Sequence, residues 1–132
     1  MKYLILVYSN PGSWEHPMFV RDPGFLGLTE AERDDVVREA EALHAEIVAS
    51  GELVEGVALA DPVTARTARP RAGGGVAVTD GPYLETKEQL AGYFVVDCET
   101  PERAAEIAAR FPDARLTAVE VRPIMTSGGE EM

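Results

Sequence analysis

The opening stretch Met1-Lys2-Tyr3-Leu4-Ile5-Leu6-Val7-Tyr8 is apolar on both of its alternating faces. Tyr3, Ile5 and Val7 point one way, and Leu4, Leu6 and Tyr8 the other. A strand with that pattern is covered on both sides of its sheet. Its apolar run is about six residues, short of the roughly 7–15 of a secretory leader and far below the roughly 18 of a bilayer span. It then runs into Ser9-Asn10-Pro11-Gly12, which has no small-residue cleavage pattern. The stretch reads as a buried first strand of a cytoplasmic protein.

Working outward, residues 9–28 hold Pro11, Gly12, Pro17, Pro23, Gly24 and Gly27 and are expected to form one long loop. Thr29-Glu30-Ala31-Glu32 is a capping box, in which hydroxyl and carboxylate each satisfy a free amide at a helix start. Val36, Ala40, Leu43 and Ile47 then follow at helical spacing, widened by Val37 and Val48, and Gly51 is placed as a left-handed cap. Residues 52–59 read as a strand closed by Asp61-Pro62. Residues 63–69 and 75–79 read as a hairpin, and residues 91–97 as a further apolar strand. Thr100-Pro101-Glu102 opens a second helix, which Pro112 stops, and residues 115–122 form the last strand.

The order β-α-β, inserted hairpin, β-α-β predicts an α+β, ferredoxin-like fold: an antiparallel sheet with both helices on one face. The expected domain is residues 1–125, with 126–132 a polar tail. Two helices cover only one sheet face, yet the first strand is apolar on both. The second face is therefore expected to meet another copy of the same sheet about a two-fold axis. The alternative cover is the 9–28 loop.

Length and charge narrow the function classes. A chain of 132 residues fits one core. Its net charge, 12 − 23 = −11, and the lack of a Lys/Arg cluster speak against nucleic acid and anionic membranes as partners. Cys98 is the single cysteine, so no intrachain disulfide forms. Its neighbours Asp97 and Glu99 discourage a thiolate. His16, His44, Asp80 and Cys98 include no pair at a chelating spacing, so neither a metal nor another cofactor is expected.

The most unusual segment is Asp80-Gly81-Pro82-Tyr83-Leu84-Glu85-Thr86-Lys87-Glu88, an acid before a Gly-Pro turn at a strand end. Such a loop is a usual place for a functional group. Asp before Gly is also common in turns, where the carboxylate accepts nearby amides. This segment, continued by Gln89-Leu90-Ala91-Gly92-Tyr93, resembles the DGPF-domain family of the YCII-related group. The first strand and the ending Val119-Glu120-Val121-Arg122-Pro123 are similar to that family as well, while Tyr83 stands where Phe is usual. The resemblance implies a dimeric α+β barrel, and an Asp-His pair in a pocket as in the wider group. Asp80 matches the acid.

His44, at the edge of the first helix's apolar stripe, is the candidate histidine that would pair with Asp80 as a general acid/base; the competing view is a boundary histidine. His16 is either delivered to a pocket by the long loop or solvated. Gly81, Pro82, Tyr83, Glu85, Lys87 and Tyr93 are the candidate substrate-binding residues, Lys87 for an anionic group and the tyrosines as pocket lining or core. Two functions are expected from these residues and the resemblance. One is a small-molecule acid/base enzyme of lyase or isomerase type using Asp80. The other is a non-catalytic homodimeric module that binds a small molecule or acts as an accessory to sigma factors, with Asp80 fixing its turn.

Overall fold

A computed structural model describes residues 1–10, 14–84 and 86–125. Strand β1 (Lys2–Ser9) is followed by a 3-10 turn (Met18–Arg21), the one-turn helix α1 (Pro23–Leu26) and the long helix α2 (Glu30–Ser50). Next come β2 (Leu53–Ala58), β3 (Arg66–Pro70), β4 (Val76–Asp80) and β5 (Gln89–Asp97). Helices α3 (Pro101–Arg110) and α4 (Pro112–Leu116) and strand β6 (Ala118–Pro123) complete the described chain. The main sheet has the order β2-β5-β1-β6 with every neighbouring pair antiparallel. That is the α+β, ferredoxin-like arrangement. Strands β3 and β4 form a separate two-stranded hairpin.

Local chemistry fixes the helix ends. The Thr29 hydroxyl accepts from the Glu32 amide at 3.2 Å while the Glu32 carboxylate accepts from the Thr29 amide at 3.0 Å, the reciprocal box expected there. Gly51 ends α2 at φ 81°, a left-handed value that a side chain would oppose. Thr100 caps α3 through the Arg103 amide at 3.1 Å. Pro112 stops α3 as expected, but it also starts α4, because proline's fixed φ and missing amide suit a first helical turn. The last strand therefore begins at Ala118 instead of 115.

One face of the sheet carries the core. Tyr3 and Ile5 of β1 and Val96 of β5 pack against Leu43 and Ile47 of α2 and Ala104, Ile107 and Ala108 of α3. Arg103 ties α3 to the rest of this layer. Its Nε donates to Glu52 at 2.8 Å, its Nη2 to Glu46 at 2.9 Å and its Nη1 to Glu106 at 2.7 Å. Hydrogen bonds from Arg103, then from Ser50, bring the Glu52 carboxyl down to about 2.

The segment expected to be one long loop is instead partly helical and packed. Phe19 and Phe25 meet edge to face, with ring centroids 5.4 Å apart, and bury Val36 of α2. Proline and glycine suit such short turns as well as they suit loops. Met18 and Phe19 lie on the helix side of the sheet with Val37 and Ala40, so the described part of this segment leaves the other face uncovered. On that face Leu4, Leu6 and Tyr8 of β1 stand beside Tyr93 and Val95 of β5, all half-buried. Residues 126–132 lie outside the described residues. Among those described, no helix is long and apolar enough to cross a membrane.

Candidate functional site

A cavity of about 650 Å³ opens between α2 and the helix-covered face of the sheet. Its size falls in the range of small-molecule sites. Val37 and Ile47 of α2, Phe94 of β5 and Phe111 after α3 give it apolar walls. Its floor is the β2–β5 pair at Gly56 and Gly92. A side chain at Gly92 would place its Cβ 2.5 Å from the Val57 carbonyl oxygen, so only glycine lets these two strands approach as they do.

Four residues with polar side chains line this space: His16, Glu41, His44 and Asp113. His44 and Glu41 are exposed and sit on the rim, one helical turn apart on α2. His16 reaches the mouth from the segment before the 3-10 turn. Its Nε2 lies 2.7 Å from the Leu59 carbonyl oxygen, which only accepts, so Nε2 donates to it. Trp14 Nε1 donates to the same oxygen at 2.9 Å and meets the His16 ring edge-on. These contacts anchor a histidine that composition alone would leave in solvent.

Asp113 is the unusual group. It is only 7% exposed, and its Oδ1 is buried with no hydrogen-bond partner. Burial pushes its carboxyl up to about 6. Its own amide and His16 oppose the shift, and Asp22 adds to it. A buried acceptor without a donor costs stability, so its presence in a cavity wall calls for a functional explanation. No Lys or Arg stands among the described residues that line the cavity.

The residues singled out by sequence divide between two places. His44 is at the cavity. Asp80 is not: it ends β4 with its side chain 86% exposed, opposite Arg66 of β3, with which it forms an ion pair. Within the chain, no hydrogen bond joins Asp80 to His44 or His16 among the described residues, and the hairpin that ends at Asp80 is a sheet separate from the one beneath α2. Gly81 adopts φ 93° and donates its amide to the Ala65 carbonyl at 2.8 Å, and Pro82 continues the turn beside it. Tyr83 is 72% exposed, with the Arg69 guanidinium over its ring. Lys87 is exposed, and Tyr93 lies on the open sheet face. Glu85 lies outside the described residues. Asp113 was missed because Phe111-Pro112-Asp113 reads as a helix stop, and nothing local marks the acid as buried.

The YCII-related domain model matches residues 1–127. An uncharacterized protein of Rhizobium meliloti (strain 1021), R00369, is 34% identical over 98 residues, which cover 73% of this chain and 78% of that protein. The chain belongs to the YCII-related domain family.

Proposed function

We propose that this member of the YCII-related family binds a small, largely apolar molecule in the cavity beneath α2 and carries out acid/base chemistry on it through Asp113, with His16 beside the mouth. The observation that carries the reading is the Asp113 carboxyl: nine-tenths buried, lacking a partner at Oδ1, in the wall of a cavity lined mainly by apolar residues. A carboxyl raised to about 6 holds and releases a proton close to neutral pH, as a general acid or base must. The lyase or isomerase class expected from sequence suits this group better than it suits Asp80, whose exposed ion pair leaves it in water.

The dimer belongs to the same proposal. Among the described residues, no helix covers the stripe Leu4, Leu6, Tyr8, Tyr93 and Val95, and a second copy of the sheet would complete its burial. The hairpin supports this. An isolated two-stranded sheet is marginal in water, and this one exposes Val76 and Val78, with Tyr83 and Leu84 exposed just beyond it. In this reading the Asp80-Gly81-Pro82 turn shapes a contact surface.

The test is binding of 2-(1-naphthyl)ethanol, a neutral apolar probe, followed by its fluorescence. The wild-type chain is expected to bind it. Ala40→Trp, which fills the cavity from α2, should lower the affinity at least about tenfold while circular dichroism stays unchanged. Equal binding by both proteins, or none by the wild type, would overturn the site.

A further inference from the structure

We infer that the β3–β4 hairpin is a docking arm, which lays its apolar face on the open sheet face of a second copy of this chain. The inference rests on the proposed dimer and adds the segment that clasps it. Residues directly opposite one another in a strand pair share a face. Ala68 stands opposite Val78 and Pro70 opposite Val76, so these four form one apolar strip. All four are exposed. The half-buried positions of the two strands, Thr67 and Ala77, belong to the other face. The usual order of a surface hairpin is thus reversed: the apolar side meets water, and the more covered side carries Thr67, Thr79 and Arg69. Such a strip gains from folding only when something covers it.

Charge selects the occupant. Residues 66–80 hold three arginines and one aspartate, a net 3 − 1 = +2, while the rest of the chain holds 9 − 22 = −13. A nucleic acid or anionic membrane drawn to the arm would be repelled by the body behind it. A second copy brings an acidic body instead, and opposite potentials favour that encounter. The same chain also supplies the matching apolar surface, the half-buried stripe of Leu4, Leu6, Tyr8, Tyr93 and Val95. Glu55, exposed and opposite Val95, puts an acid on that face at the β2 edge. Arg71 sits at the arm's tip, where its amide donates to the Gly75 carbonyl at 3.1 Å and its carbonyl accepts from the Gly74 amide at 3.1 Å. An arginine at the end of an apolar strip can meet an acid at the end of an apolar stripe. The arm leaves the main sheet at its edge strand β2 and returns into β5, so it projects from the sheet whose open face the partner would meet. Two-fold symmetry makes the exchange reciprocal: each copy gives one arm and receives one.

The experiment reads contact between copies of the full chain. A nitroxide is attached at Ala72→Cys, in the hairpin's turn and outside the apolar strip, while Cys98 is buried and stays unlabelled. This chain is mixed with nitrogen-15-labelled wild type, so broadening in the labelled chain comes from another copy's arm. The amides of Leu4, Leu6, Tyr93 and Val95 are expected to lose intensity, and those of α3 to keep it. Val76→Thr with Val78→Thr retains the β-branched shape that suits a strand but makes the strip polar. Added to the nitroxide-bearing chain, this pair should abolish the broadening, and alone it should raise the dimer Kd at least about tenfold. Its amide spectrum, unchanged outside the hairpin, shows that the variant is folded. A wild-type dimer without broadening between copies, or with broadening confined to other surfaces, would overturn the arm and leave the sheet-to-sheet dimer standing. Broadening and Kd that survive the threonine pair would do the same. A wild-type monomer at tens of micromolar would overturn both readings.

Discussion

At the scale of single residues, Asp113 and Asp80 show how one side-chain type is given two roles by its surroundings. Asp80 faces Arg66 across the hairpin in water, where an opposed pair contributes at most about 1 kcal/mol. Asp80→Asn should therefore leave affinity for 2-(1-naphthyl)ethanol unchanged, and a large loss would return the site to the Gly-Pro turn. Asp113 is raised from 3.8 to about 6, so the folded state takes up a proton that the unfolded chain releases over that range. Stability from this group is full below about pH 4 and is lost as pH rises through 6. The loss amounts to about 3 kcal/mol from the size of the shift. Asp113→Asn removes the ionising group, so urea denaturation should find the variant more stable than wild type by about 1–3 kcal/mol at pH 8, with the gain vanishing near pH 4. A variant less stable at pH 8 would mean that the carboxylate is satisfied after all. His44 was legible as a helix-edge residue from its spacing against Leu43 and Ile47. Asp113 was not, because its burial comes from α4 folding under the Phe19 segment, a contact between positions almost a hundred residues apart.

At the scale of elements, the ends of helices were the most readable features. Thr29 with Glu32, Gly51, and Thr100 with Pro101 each act within one turn, so adjacent residues suffice to specify them. The short helices after Pro17 and Pro112 were hidden because the same prolines punctuate loops and open helical turns. The Arg103 cluster was hidden too, since it joins α2, the start of β2 and α3, which the chain brings together only on folding. That cluster makes an acid-sensitive joint. Glu52 is held near 2, so its contribution is full above about pH 4.5 and is lost as pH falls toward 2. Arg103→Met should destabilise the protein by about 2 kcal/mol at pH 7, and the difference from wild type should shrink in denaturation measured at pH 3. A difference independent of pH would show that Arg103 acts through packing of its stem instead.

At the scale of the whole molecule, the first strand's two apolar faces announced a sheet that one helical layer could not cover, and the order β2-β5-β1-β6 bears out the fold that this implied. Tyr3 and Ile5 are buried under the helices, whereas Leu4 and Leu6 stay half-exposed on the far side. If a second copy covers them, light scattering should give twice the 14.2 kDa chain mass. Leu6→Lys should halve it, because a charge would enter the buried face. A wild-type monomer at tens of micromolar would remove the dimer from the account. The cavity lies on the opposite side of the sheet, so its chemistry is tested independently of assembly. The most direct test is a carbon-13 NMR pH titration of the Asp113 side-chain carboxyl in the wild-type protein. A midpoint near 6 is the expected result and would establish a desolvated, proton-exchanging acid in the cavity wall. A midpoint near 4, the value of a solvated aspartate, would contradict the claim that this carboxyl is the centre of the site.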